Sequence, residues 1–261
     1  MRLTEENIGL EDIAVRASDT DRFYDATIPF FFSSSQEVAG EHATLFGMGI
    51  SEMSEKEMRT WVIVRTRMDF TRIPKWREKL TFETFPQKGY KLFCPRVVMA
   101  RDEKGEPVMN AMTHWVLMDL SRKRPIPAKM VEERFNMKYE DRFQNPDIGK
   151  LLKYEEAEKI EVFEEKTFCP NYFDIDLNSH VNNVAYTRWC CESIPDEILL
   201  DYQISMIDVQ WESQTFEGEN VRVETAVTAK DENTLSMVHR IKKIADDKIV
   251  FEANSDWKRK Q

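Results

Sequence analysis

A chain of 261 residues that is 41% hydrophobic, 11% aromatic and 32% charged carries enough apolar side chains for one large core or two ordinary ones, and this excludes a disordered polymer. Its net charge of -10 removes any overall attraction to a polyanion, so nucleic-acid binding and a polybasic membrane anchor are set aside. No run approaches the ~18 apolar residues that span a bilayer, and the start MRLTEENIGLED is too polar for a secretory signal, so the expected location is the cytoplasm.

In chain order, the first predicted element is a helix over 34–48. Ser34 followed by Glu37 reads as a capping box, Gly47 and Gly49 stop the helix, and Val38, His42, Leu45 and Phe46 give it an apolar face. Strands follow at 61–70, 79–85, 91–101 and 107–120, rich in β-branched and aromatic residues, with RDEKGEPV as the turn before the last. A charged connector, 128–157, reads as surface-lying and partly helical. Beyond it the pattern gives a strand at 158–167, a helix at 181–193, and strands at 204–211, 220–228, 234–244 and 248–257, with Asp246 and Asp247 in a turn.

The second set repeats the first. Residues 77–84 (REKLTFET) align with 218–225 (GENVRVET), and 108–115 (VMNAMTHW) with 250–257 (VFEANSDW) after one residue of slip. The second helix, with Val184, Ala185, Trp189, Cys190, Cys191 and Ile194, is apolar around more of its circumference than a surface helix needs, so it is expected to be wrapped. The fold class is therefore α+β, a tandem double hotdog in which each long helix is wrapped by an antiparallel sheet. The units are 1–127 and 158–261, joined by the connector.

Cys94, Cys169, Cys190 and Cys191 have no metal-type spacing and read as buried free thiols, and neither a metal nor a cofactor is expected. The densest polar group is NYFDIDLNSHVNNVAYTRW, 171–189, just ahead of the second helix. Asp174, Asp176, Asn178, His180, Asn182 and Asn183 could serve as an elaborate N-cap. Asp176, Asn178 and His180 also alternate, so in an extended segment they would share one side. A carboxylate, an amide and an imidazole beside a helix N-terminus suit thioester hydrolysis, in which water must be activated and an oxyanion stabilised. His42, His114 and His239 have no such company and read as structural or surface histidines.

DLNSHVNNVAYTRW resembles the signature of plant and bacterial acyl-acyl carrier protein (acyl-ACP) thioesterases. WVIVRTRMDFTRIPKWREKLTFET, 61–84, and THWVLMDLSRKRPIP, 113–127, resemble that family's first-domain strands, so the similarity spans almost the whole chain. The resemblance implies catalytic roles for Asp176, Asn178 and His180. Where family members carry a glutamate, followed in plant enzymes by a cysteine, this chain has Gln214 and Thr215 in VQWESQTFEGENV, which rules out a thiolate nucleophile there. Gln214 would orient water or the carbonyl. Glu212 is an alternative carboxylate if it lies two residues along the same strand.

Further implications are an acyl-chain-shaping first unit, a catalytic second unit, and a chain working as a monomeric pseudo-dimer or a homodimer. Phe30, Phe31, Phe32, Met48, Met53 and Met58 are candidates for an acyl tunnel or for plain core. The first unit's FFFSSSQEV has serines where the second has the polar cluster. The expected partner is an acidic acyl carrier protein with a phosphopantetheine-linked acyl chain. Arg65, Arg67, Arg72, Lys75 and Arg77, or Arg122, Lys123 and Arg124, would greet it if they are more than a solvated charged face. Rival readings are an acyl-CoA thioesterase, a weakly catalytic acyl-carrier binder, and a hydratase, although the last lacks its Gly-Asp-x-Asn-Pro-type loop.

Overall fold

The computed structural model describes residues 1–131 and 148–260, and the chain divides into two compact units, Met1–Ile148 and Gly149–Gln261. The first contains β1 (Arg2–Leu3), β2 (Gly9–Ala14), α1 (Ile28–Leu45), β3 (Arg59–Phe70), β4 (Lys79–Pro86), β5 (Cys94–Arg101), β6 (Pro107–Asp119) and β7 (Arg124–Pro125). Its strands pair antiparallel in the order β1-β2-β4-β5-β6-β3, with β7 also on β6, and α1 packs on β2, β4 and β5.

Helix α1 starts at Ile28, ahead of the expected Ser34–Glu37 box. Pro29 sits in its first turn, where a missing N–H breaks no helical bond. Phe30, Phe31 and Phe32 are buried, with Phe31 edge-on to Phe70 at 4.9 Å. Burying each such ring contributes ~1.5–3 kcal/mol, more than a surface capping box, so Ser34 and Ser35 become interior positions of a longer helix. Gly47 ends it as expected: at φ +67° its N–H donates to Thr44 O (2.9 Å) and the Met48 N–H to Ala43 O (2.9 Å). Gly47→Ala should therefore lose ~1–2 kcal/mol, the strain of a left-handed Cβ, read as a lower urea midpoint.

Of the tunnel candidates, the three phenylalanines, Met48 and Met53 are fully packed core, while Met58 is exposed and leaves that set. Leu45 is also exposed, and α1 turns Val38, Ala39, His42 and Ala43 inward instead. The strand expected from residue 91 begins at Cys94, because Lys91 adopts φ 53° in a turn closed by Phe93 N–H to Tyr90 O.

The second unit contains β8 (Glu161–Val162), β9 (Lys166–Phe168), α2 (Asn183–Glu192), α3 (Asp196–Asp201), β10 (Tyr202–Trp211), β11 (Val221–Lys230), β12 (Thr234–Lys243) and β13 (Ile249–Arg259). The antiparallel order is β10-β13-β12-β11, with β8 and β9 both on β11, and α2 packs on β11 and β12. The single strand expected at 158–167 is thus two short ones whose register on β11 slips between them. This edge is largely exposed and charged, and no buried face enforces one register. Helix α3 had no counterpart in the sequence reading.

The duplication holds at single residues. Thr84 pairs with Val98, which pairs with Ala111; Thr225 pairs with His239, which pairs with Ala253. In both units a tryptophan indole N–H donates 2.8 Å to the hydroxyl two residues before it, Trp115 to Thr113 and Trp257 to Ser255. Each unit is a hotdog, a helix laid on a curved antiparallel sheet.

From 148 to 157 the connector is not helical, and 132–147 lie outside the described residues. Residues 152–155 are strapped to the second unit's sheet. The Leu152 N–H donates to Asn254 Oδ1 (3.0 Å), the Tyr154 N–H to Glu252 Oε1 (3.0 Å), and Arg240 pairs with Glu155. Among the described residues no helix is long and apolar enough to cross a membrane.

Candidate active site

The polar cluster ahead of α2 splits into two jobs. Asp174 is buried, accepts the Asn171 N–H (3.0 Å) and pairs with Arg188 of α2 (2.6 Å); Asn182 is the N-cap, its Oδ1 accepting the Val184 N–H at 2.8 Å. These are structural, as an N-cap reading requires. Asp176, Asn178 and His180 lie between them in a tight turn, closed by an isolated bridge between Ile175 and Val181.

The chain folds back at these residues, and the expected extended alternation is not formed. The Asp176 N–H donates to His180 O (2.8 Å) and the Ser179 N–H to Asp176 O (3.0 Å), with Ser179 at φ 61°. Asp176 Oδ1 accepts the N–H groups of Asn178 (2.8 Å) and His180 (3.3 Å), an Asx turn that locks the loop. Its Oδ2 has no hydrogen-bond partner among the described residues, and the same holds for both ring nitrogens of His180 and the side-chain amides of Asn178 and Gln214. The His180 ring meets Phe216 edge-on at 5.1 Å.

Asp176 borders a cleft of about 450 Å³ whose other walls are Tyr172, Phe173, Ile175, Ser179 and Glu217. Its lining combines aromatic and aliphatic side chains with two carboxylates. Phe173 and Leu177 are 92% and 91% exposed, so the rim offers apolar surface that folding leaves uncovered.

The strand expected to carry the missing carboxylate stops at Trp211, so Glu212 and Gln214 do not share a strand face. Glu212 is taken up by Lys153 and by Gln210 Nε2 (2.8 Å). Gln214 is exposed on the loop that follows. Thr215 is buried: its carbonyl accepts the Val181 N–H (2.9 Å), tying this loop to the base of the turn. Tyr186, buried in the first turns of α2, has its phenol pushed up to about 12 by burial, an effect partly offset by hydrogen bonding to Thr215. Phe216, Glu217 and Tyr186 were not singled out in the sequence. Their signal was proximity to Gln214 and to the helix start, too weak to separate them from core and surface.

His42, His114 and His239 are all buried and hydrogen-bonded, His42 to Asn7 O, His114 to the Tyr90 hydroxyl and His239 to Ser255. Cys190 is buried and Cys191 half-buried, and burial holds both thiols far from ionisation, whereas Cys169 is exposed, contrary to expectation.

The first unit holds a bond-for-bond counterpart of the site, and it does not lie at the expected FFFSSSQEV. Asp21 takes the place of Asp176: its N–H donates to Asp25 O (2.9 Å), its carbonyl accepts the Tyr24 N–H (3.1 Å), and its Oδ1 accepts Phe23 N–H (2.8 Å) and Asp25 N–H (3.0 Å). Tyr24, at φ 64°, stands where Ser179 does. The adjoining loop repeats too. Ala26 N–H bonds Pro74 O as Val181 bonds Thr215, and Glu78 accepts Lys75 N–H (2.7 Å) as Glu219 accepts Phe216 N–H (2.9 Å). Asn178 and His180 are thus answered by Phe23 and Asp25, and Glu217 by Trp76. The aspartate is kept and the rest of the chemistry is gone.

Two hotdogs in one chain define a tandem hotdog protein, and among the described residues the candidate carboxylate, imidazole and amide stand together ahead of the helix of the second. Residues 10–139 match the Acyl-ACP thioesterase N-terminal domain and 157–259 the Acyl-ACP thioesterase C-terminal domain. The chain belongs to the acyl-ACP thioesterase family. It is 26% identical over 242 residues to a palmitoyl-acyl carrier protein thioesterase of Gossypium hirsutum, covering 88% of this chain and 57% of that protein. It is also 26% identical to an oleoyl-acyl carrier protein thioesterase of Coriandrum sativum, covering 80% and 60%. The chain therefore spans about three fifths of the length of these curated relatives. Solved structures of an acyl-ACP thioesterase from Bacteroides thetaiotaomicron (TM-score 0.81, 20% identity, covering 97% of this chain and 98% of that one) and a 12:0-ACP thioesterase from Umbellularia californica (0.82, 23%, 97% and 95%) share the fold.

Proposed function

We propose that this protein hydrolyses acyl-ACP thioesters to free fatty acid and carrier, terminating fatty acid synthesis in the cytoplasm. The observation that carries this reading is the turn 176–180, in which a carboxylate oxygen, an imidazole and an amide have no hydrogen-bond partner among the described residues, ahead of one helix, with Asp176 bordering a cleft. Family membership supports the reaction class.

In this reading Asp176 Oδ2 takes a proton from water as the water oxygen attacks the thioester carbon. Asn178 holds the carbonyl oxygen as it becomes an oxyanion, helped by the positive end of α2. The C–S bond then breaks, and the proton taken up by Asp176 passes by way of His180 to the departing thiolate. Gln214 orients the water. The second unit carries the chemistry and the first shapes the site for the acyl chain.

The test is the free fatty acid released from one acyl group presented on carrier protein and on coenzyme A. Faster turnover on the carrier supports the reading, and faster turnover on coenzyme A replaces it with an acyl-CoA thioesterase. Tight carrier binding with no release would make the protein a binder.

Loss of one neutral hydrogen bond is worth ~0.5–1.5 kcal/mol, so Gln214→Ala should slow hydrolysis by roughly two- to tenfold. Glu212→Gln should keep the wild-type rate, because Lys153 and Gln210 already occupy that carboxylate. A larger loss at Glu212 than at Gln214 in steady-state kinetics would reverse this assignment.

A further inference from the structure

In the first unit, the counterpart of the catalytic turn has become a rigid aromatic and cationic platform. Tyr24 and Trp76 stack at 5.9 Å with 18° between planes, and the Arg77 guanidinium lies 4.2 Å from the Trp76 ring centre. Tyr24 is 60% exposed and Trp76 38%, so this is surface, not core. Two non-glycine residues are held in left-handed conformations to build it, Tyr24 at φ 64° and Arg77 at φ 72°. For a bulky residue that is a strained state. The backbone fixes both: Trp76 N–H donates to Tyr24 O (2.8 Å) and Arg77 N–H to Val15 O (2.9 Å). At the equivalent of Arg77 the second unit has Gly218, at φ 77°, where no strain arises.

Charge selects the occupant. Of the basic residues singled out in this region, Arg65 donates to the Ile148 carbonyl (3.1 Å), Arg67 is matched by Asp69, Arg72 by Glu78 and Asp102, and Lys75 by Asp25. Arg77 pairs with no carboxylate among the described residues and rests on an indole instead. Trp, Tyr and Arg in one pre-ordered patch are the side chains that dominate protein–protein binding energy, because they bury large area with little loss of freedom. A cation spared from neutralisation in a chain of net charge -10 fits an acidic protein partner.

We infer that the Tyr24–Trp76–Arg77 platform docks the acidic acyl carrier protein, so that the duplicated turn does chemistry in one unit and recognises the carrier in the other. This rests on the acyl-ACP reading above. The second basic group has Arg122 loosely paired with Asp119 (3.9 Å), Lys123 in a turn and Arg124 opening β7, with no ring stacked on either among the described residues, so it serves as the control.

Trp76→Ala and Arg77→Glu are compared with a Lys123→Glu/Arg124→Glu double variant. Each is assayed on an acyl carrier protein thioester and on the same acyl group carried by N-acetylcysteamine, which has no protein to dock. The inference expects KM for the carrier substrate to rise about tenfold in both platform variants, as for an interface hot spot, with the N-acetylcysteamine thioester hydrolysed at the wild-type rate. Arg77→Glu should also weaken the salt dependence of KM. Calorimetric titration of holo-carrier protein onto each variant gives the same answer without turnover, so a chain that hydrolyses nothing sinks the proposed activity while docking is still decided. Unchanged carrier affinity in folded Arg77→Glu, or an equal loss on both substrates, or a loss confined to the 123/124 variant, overturns the platform.

Discussion

Asp176→Asn should lower turnover on acyl-ACP by at least about 10²-fold, the range of lost general acid–base assistance, and leave the melting temperature almost unchanged. The asymmetry follows from the two oxygens of this carboxylate. Oδ1 accepts two backbone N–H groups and holds the turn, and an asparagine carbonyl keeps that role. Only Oδ2, the proton acceptor, is lost. Asp176→Ala removes both, so it should lose the same rate and some stability as well. His180→Ala should fall as far as Asp176→Asn. Asp21 supplies the internal control: it makes the same Asx turn in the first unit with Phe23 and Asp25 in place of the amide and imidazole, so Asp21→Ala should destabilise and leave the rate per folded molecule intact. A folded Asp176→Asn enzyme with near-normal kcat would return the whole cluster to a capping role.

The fold was legible because its signals were long. Strands of eight to thirteen residues such as β4 and β6, and the recurrence of Val108, Ala111 and Trp115 as Val250, Ala253 and Trp257, fixed two units in one register. Short-range signals were weaker. A Ser-x-x-Glu box at 34–37 looks the same whether it starts a helix or sits within one, and only the cost of exposing Phe30, Phe31 and Phe32 moved the start to Ile28. Charged edge segments such as 161–168 carry no buried face, so nothing in the pattern fixed their ladder.

The candidate site was legible by composition but not by geometry. Asp, Asn and His within five positions marked the place, yet alternation suggested an extended chain where a turn was built. The turn's signature is Asp176 at its first position and a left-handed residue at its fourth, and serine at 179 hid the second half of that code. The same substitution pattern hid the counterpart at 21–25, where tyrosine occupies the left-handed position. Sequence comparison placed the first unit's site at its serines because the two copies differ at nearly every side chain there. What they share is backbone hydrogen bonding, which a sequence does not display.

Between pH 7 and pH 5 the protein should lose several kcal/mol of stability, because three histidines are buried in the neutral form. Burial drives His42, His114 and His239 from 6.5 down to about 4 each, with Arg96 adding to the effect at His42 and Arg65 at His114. His42 sits between Asn7 O (2.8 Å) and Arg96 (3.1 Å), and His239 between Thr225 (3.0 Å) and Ser255 (2.8 Å), contacts that a neutral ring satisfies. The unfolded chain takes up protons as pH falls below 6.5, and the folded chain refuses them until about 4. Stability is therefore fully present above 6.5, declines through the window, and the loss is complete near 4. Each histidine contributes a slope of up to about 1.4 kcal/mol per pH unit, or about 2 kcal/mol by pH 5 and about 3 by pH 4. Three together approach the roughly 5–15 kcal/mol that holds a typical domain folded, so cooperative unfolding is expected between pH 5 and 4, before most carboxylates protonate. Urea denaturation at half-unit steps from pH 7.5 to 4.5 measures the slope, and it should steepen below 6.5. A flat profile down to pH 5 would mean that these rings are not held neutral.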